Sequence, residues 1–371
     1  MDISKLLRPE VKHFEPYLPG KPLEEVQREL GLKKVIKLAS NENALGTSPK
    51  AARALRKDCS SSYRYPDGSG TLLRRALAKN IGVGENEIIL GAGSDEVIEL
   101  LGKTFFNPTD EIIVSAHAFI RYQMAADLMG AKTVVVPMQD YKHDLNAMAA
   151  KINSNTKALF IANPNNPTGT YVTQKEVEEF LSLSNVENVP FIVFDEAYYE
   201  YSKELAQDYP NTLKFFKERE NLIILRTFSK IYGLAGLRVG YGIGKEGVIS
   251  HLDRVRPPFN VSTPAQKAAV AALRDKAHLK KSVQVTQKGM KYLLTELEKL
   301  NLKTVPSSGN FLLIDVAPRR GKDLFKQLLL KGVIVRSVDE YELPHHMRVT
   351  VGLEKENWFF IEKLKEVLKQ Q

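Results

Sequence analysis

The chain has 371 residues, 43% of them hydrophobic and 26% charged, enough to bury a large core or two domains and far from the composition of a disordered protein. Its formal net charge of +9 comes from basic residues interleaved with acids, as in KKSVQVTQKGMKYLLTELEKL, which argues against a nucleic-acid surface. A single cysteine, Cys59, excludes an internal disulfide. No run approaches the roughly 18 apolar residues of a membrane span, and MDISKLLRPEVKHFEP lacks the apolar stretch of a signal peptide, so a cytoplasmic protein away from membranes is expected.

No fixed-period repeat interrupts the chain. From Glu87 onward, short apolar runs alternate with helical patterns: IIL (Ile88 to Leu90) before a helix starting near Ser94, and EIIVSA (Glu111 to Ala116) before another from about Ile120 to Met129. TVVVPM, KALFIA, VPFIVF and NLIILR follow, the last ending at Arg226. Apolar strands without polar alternation are buried on both faces, which predicts an α/β domain with a mostly parallel sheet covered by helices. The character changes at Arg256-Pro257-Pro258. A long helical region follows, from about Thr263 to Leu300, and then NFLLIDV, VIVRSV and MRVTV read as strands of a smaller α/β domain. The expected division is a large domain over 36–258, with 1–35 and 259–371 forming an N-terminal arm and the small domain.

Chemistry gathers at the strand ends. Lys230, in TFSKIYGLAGLRVGYGIG, follows a buried strand at the position where open α/β sheets place ligands. A buried ammonium is costly unless its pKa falls or it becomes an imine. Thr227, Ser229 and Arg238 add two hydroxyls and a guanidinium suited to a phosphate. The bland alternative is a loop of solvated cations. Asp195, in VFDEAYYEY, could serve a cofactor, a metal or a helix cap, and caps are the commoner outcome. GAGSDEVIELL leads from a glycine turn into a helix whose first amides, around Ser94 and Asp95, form an anion site or a simple N-cap. ANPNNPTGT is a rigid loop able to fix the Asn166 amide, or merely a proline turn. Phe119 and Tyr122, in HAFIRY, read alone as core, and Tyr65, in RYPDGSG, as a Tyr-Pro turn.

Taken together and in this order, these motifs resemble the fold-type I pyridoxal-phosphate aminotransferases over nearly the whole chain, which implies a large domain built on a mostly parallel, seven-stranded sheet beside a smaller α/β domain. The resemblance implies pyridoxal 5'-phosphate bound as a Schiff base on Lys230, with no metal. It implies Asp195 beside the pyridine nitrogen, Asn166 and Tyr198 at the 3'-oxygen, and Tyr122 stacked on the ring. Ser94, Asp95, Thr227, Ser229 and Arg238 would hold the phosphate, joined by Tyr65 of a neighbouring subunit, so that a homodimer shares its active sites. The chain departs from the common pattern at Ala44, Ala92 and His117.

Within that family, PYLPGKP (Pro16 to Pro22), LASNENALG (Leu38 to Gly46) and the pair VIVRS with MRVTVG are similar to the histidinol-phosphate aminotransferases. This implies transamination between histidinol phosphate and 2-oxoglutarate, an amino donor and a 2-oxo acid acceptor. Arg348 and Arg336 would share the substrate's carboxylate or phosphate, Asn41 would also bind the substrate, and Tyr17 of the N-terminal arm would close over that end of it. The freed Lys230 amine would be the general base for the α-proton. An aromatic-amino-acid aminotransferase and a threonine-phosphate decarboxylase share the scaffold and are the rival readings.

Overall fold

Thirteen strands form among the described residues, which are 2–12, 14, 23–58 and 63–369 of a computed structural model. They are β1 (Ile36–Lys37), β2 (Ile88–Gly91), β3 (Glu111–Ser115), β4 (Lys132–Val136), β5 (Thr156–Ala162), β6 (Phe191–Asp195), β7 (Leu222–Thr227), β8 (Gly240–Ile243), β9 (Lys303–Val305), β10 (Phe311–Asp315), β11 (Val333–Ile334), β12 (Arg336–Ser337) and β13 (His346–Thr350). The expected arm residue Tyr17, with its PYLPGKP motif, lies outside the described residues.

The six apolar runs, with β8 inserted between β2 and β7, build one seven-stranded sheet, in the order β2-β8-β7-β6-β5-β3-β4. Every neighbouring pair is parallel except the two made by β8, which runs against both β2 and β7. Successive side chains of a strand point to opposite faces, and away from the half-exposed edge strand β4 both faces are dry. Leu159 and Ile161 of β5 enter the core on one side, with Ile192 and Phe194 of β6 and Ile224 of β7. Phe160 and Ala162 enter the core on the other side, with Val193 and Leu225. Each large side chain taken from water contributes about 1.5–3 kcal/mol, which favours apolar residues in these runs; a buried exception, Arg226 of β7, pairs with Glu196 and lies over the Tyr199 ring.

The smaller sheet is antiparallel, in the order β12-β13-β10-β9. Its core joins Leu312 and Ile314 of β10 and Met347 and Val349 of β13 to the helices Lys276–Lys299, Gly321–Leu330 and Glu354–Lys369. Two segments cross the division expected at residues 36 and 258. β1 pairs in parallel with β11 of the smaller unit, and the Leu38 carbonyl accepts from the Thr350 N–H at 2.9 Å. Helix Thr263–Leu273 instead buries Ala265, Ala268, Ala269 and Ala272 in the core of the larger unit. The long helix Lys276–Lys299 joins the two units, with Val283 in the larger core and Met290, Leu293 and Leu297 in the smaller. Asp275 caps its start at the His278 N–H and takes the Ser48 hydroxyl at 2.7 Å.

Candidate active site

Because six strands run the same way, their C-terminal ends open on one edge of the sheet, and the motifs of Ser94, Tyr122, Asn166, Asp195 and Lys230 lie there. The sheet order fixes how they are laid out. Ser94 follows β2, Thr227 to Arg238 connect β7 to β8, Asp195 ends β6, and Ala162 to Asn166 leave β5. Anion-binding groups therefore occupy one end of the edge, and the carboxylate and amide the other. Between them lies a cavity of about 200 Å³ lined by Ser94, Asp95, Tyr122, Asn166, Asp195, Tyr198, Thr227, Ser229, Lys230 and Arg238. These are ten of the positions expected from the sequence, gathered in one place.

At the anion end, helix Ser94–Phe105 presents its free N-terminal amides. Gly93 enters it at φ +84°, and a Cβ there would stand 2.5 Å from the Arg238 guanidinium. Gly240, paired with both Gly91 and Thr227, lies so close that a Cβ would fall 2.3 Å from the Ser94 nitrogen. Only glycine lets β8 and the helix start meet this tightly. Arg238, itself at φ +49°, donates to Ser229 Oγ at 3.3 Å, and Thr227 Oγ1 donates to the same oxygen at 3.0 Å. The Asp95 carboxylate is taken by Arg121 at 2.6 Å, which leaves its backbone N–H as the group it offers the cavity.

At the other end, Asp195 is buried and accepts from the Tyr122 hydroxyl at 2.7 Å and from the Ala197 N–H at 3.2 Å. Burial pushes its carboxyl up to about 6, against the lowering effect of those two hydrogen bonds and of Lys230. Burial and the Asp195 charge hold the Tyr122 phenol far above its usual range, so it remains a donor. Tyr122 was expected as a stacking residue. Its ring is stacked on Phe160, centroids 4.8 Å apart and 15° between planes, while Phe119, set edge-on to Tyr122, also lines the cavity. Lys230 is half-buried, with its ammonium 5.4 Å from the Tyr198 ring centre and 3.5 Å from the Ser40 carbonyl.

The remaining expected residues lie around this cavity without lining it. Arg348 donates to Asn166 Oδ1 at 2.5 Å and to the Ala39 carbonyl at 2.6 Å, and its buried Nε has no partner among the described residues. Arg336 is its direct cross-strand neighbour and pairs with Glu340. Asn41 reaches Tyr198, at 2.8 Å between Nδ2 and the phenol oxygen. Tyr65 is 82% exposed and stacks on Phe259 outside its own chain's cavity. The sequence reading passed over Ala162, Pro164, Ala197 and Ala235, small residues that complete the walls. Their only signal is adjacency to a motif residue. It also passed over His143, which bridges Ser115 Oγ (2.6 Å) and the Ala162 carbonyl (2.8 Å) beneath the cavity wall.

A lysine, a buried carboxylate and an arginine–hydroxyl–helix-terminus cradle at the carboxyl edge of such a sheet define a class, and sequence comparison agrees with it. Residues 33–362 match the family described as aminotransferase class I and II, and the chain belongs to that family. Among its relatives, a histidinol-phosphate aminotransferase of Moorella thermoacetica is 49% identical, covering 97% of this chain and 92% of that protein. One from Caldicellulosiruptor saccharolyticus is 44% identical over 98% of this chain and 100% of its own. The fold matches the crystal structure of histidinol-phosphate aminotransferase from Sinorhizobium meliloti in complex with pyridoxal-5'-phosphate, at TM-score 0.87 and 24% identity over 98% of each chain.

Proposed function

We propose that this chain is a pyridoxal-phosphate-dependent transaminase that exchanges an amino group between L-histidinol phosphate and 2-oxoglutarate, giving imidazole-acetol phosphate and L-glutamate. The observation that carries the reading is the shared cavity of Lys230, Asp195 and Arg238. The substrate assignment rests on the 44% and 49% identity to the two relatives. Histidine synthesis, in the cytoplasm where phosphorylated intermediates are retained, is the corresponding role.

The residues present fit pyridoxal phosphate on two counts. The buried Asp195 carboxyl, pushed up to about 6, is a carboxylate in want of a cation, which a protonated ring nitrogen supplies. The glycine-lined helix start with Ser229 and Arg238 is a cradle for a phosphate. When bound, this cofactor supplies an electron-withdrawing ring that stabilises negative charge on the adjoining substrate carbon.

Lys230 would carry the cofactor and, once freed, take the α-proton of the donor and deliver it on the cofactor side. Asp195 would hold positive charge on the ring nitrogen, steadied by Tyr122. Phe119 would cover the ring, and Asn166 and Tyr198 would donate to the 3'-oxygen. Ser94, Asp95, Thr227, Ser229 and Arg238 would bind the phosphate. Arg348, whose buried Nε has no partner among the described residues, and its neighbour Arg336 carry guanidinium groups that suit a carboxylate in one half-reaction and a phosphate in the other. Tyr65 and Tyr17 would complete the site across a homodimer. Exposed Tyr63, Tyr65 and Phe259 give such a contact apolar surface.

Single-turnover absorbance on the cofactor-loaded protein tests the assignment. Histidinol phosphate should replace the visible band of the bound cofactor by the near-ultraviolet band of its aminated form much faster than phenylalanine does. Faster conversion by phenylalanine, or release of CO2 from threonine phosphate, would transfer the substrate assignment to a rival.

A further inference from the structure

Asn41 stands where the chain passes from the smaller unit to the cavity, and each of its polar groups is committed. Its backbone N–H donates to Thr350 Oγ1 at 2.9 Å, the Thr350 hydroxyl donates back to Asn41 Oδ1 at 3.0 Å, and its carbonyl accepts from Asn310 at 3.1 Å. With Oδ1 occupied by Thr350, the amide has one orientation left, and Nδ2 donates to the Tyr198 hydroxyl at 2.8 Å. Asn41, Thr350, Asn310 and Tyr198 are all buried, so water does not compete for these bonds. The backbone at Asn41 sits at φ +54°, a left-handed conformation that the neighbouring contacts hold in place.

A phenol oxygen that accepts from Asn41 keeps its own proton to give elsewhere, and Tyr198 lines the cavity. We propose that Asn41 is a positioning residue that, held by Thr350 of β13, turns the Tyr198 hydroxyl into a donor facing the bound cofactor. This rests on the proposed cofactor reading and assigns Asn41 to Tyr198 rather than to the substrate. It also ties β13, which carries Arg348 two residues before Thr350, to the protonation of the nitrogen joining Lys230 to the cofactor. A donor on the 3'-oxygen draws negative charge away from that nitrogen, so weakening the donor favours the nitrogen's protonated form.

The test is a spectrophotometric pH titration of the loaded full-length protein without substrate, for the wild type, Asn41→Gly, Tyr198→Phe and the double variant. Glycine accepts the positive φ, so Asn41→Gly removes the amide while sparing the backbone. Asn41→Gly should raise the titration midpoint by about half to one pH unit, in the direction of Tyr198→Phe. The same change in the Tyr198→Phe background should do nothing, because the residue it acts through is gone. Asn41→Asp, which keeps the Thr350 contact and swaps the donor for an acceptor, should match Tyr198→Phe. Equal shifts in both backgrounds, or an unmoved midpoint with only KM raised, would overturn the proposal. A wild-type protein without a cofactor band would overturn the cofactor reading and this proposal together.

Discussion

Asp195 and Tyr122 form the pair on which the cavity's electrostatics turn. In the cofactor-free chain the carboxyl, at about 6, lies above its usual 3.8. Its contribution to stability is therefore full below pH 3.8 and is lost as pH rises through about 6. A ring cation reverses that, since it binds the ionised form. The Tyr122 hydrogen bond favours ionisation, so Tyr122→Phe should raise the Asp195 carboxyl further. The acid limb of pyridoxal-phosphate affinity, measured by equilibrium titration of the cofactor-free protein, should then move up by about one pH unit. An unmoved limb would mean that Tyr122 is only packing. Asp195 is readable in VFDEAYYEY because it ends an apolar run, whereas its partner, 73 residues away, is not. HAFIRY shows an aromatic pair, but nothing in it says which ring meets the cavity and which hydroxyl meets a carboxylate.

The strands that position these residues are joined by a buried imidazole. His143 links Ser115 at the end of β3 to Ala162 at the end of β5, and burial depresses it to about 4. The native state keeps it neutral, while the unfolded chain protonates it near 6.5. Its stabilisation is therefore complete above pH 6.5 and is lost as pH falls toward about 4. Urea midpoints should fall across that window, and His143→Gln should show a shallower fall; an equal slope in the variant would exclude His143 as the titrating group. Six strands of the large sheet are legible as apolar runs. β8 is not, because GYGI is four residues with two glycines, a poor strand by propensity that forms since β2 and β7 flank it. β1, two residues long, is likewise set by its partner β11.

Over the whole molecule, the fold brings together what the sequence spreads over more than 250 positions. Arg336 and Arg348 become cross-strand neighbours when the smaller sheet forms, and Asn41, held by Thr350 of that sheet, reaches Tyr198 where the two units meet. The order of motifs was enough to read the class, because each motif ends a strand and parallel strands share one edge. The links between motifs, such as Arg348 to Asn166, depend on how the smaller sheet sits against that edge and leave no local pattern. The proposed chemistry depends on Lys230 as the attachment point of the cofactor. Borohydride reduction of the loaded protein followed by peptide mass spectrometry tests this most directly. A single pyridoxyl-modified lysine, Lys230, is the expected result, and a label on another lysine, or on none, would contradict this role.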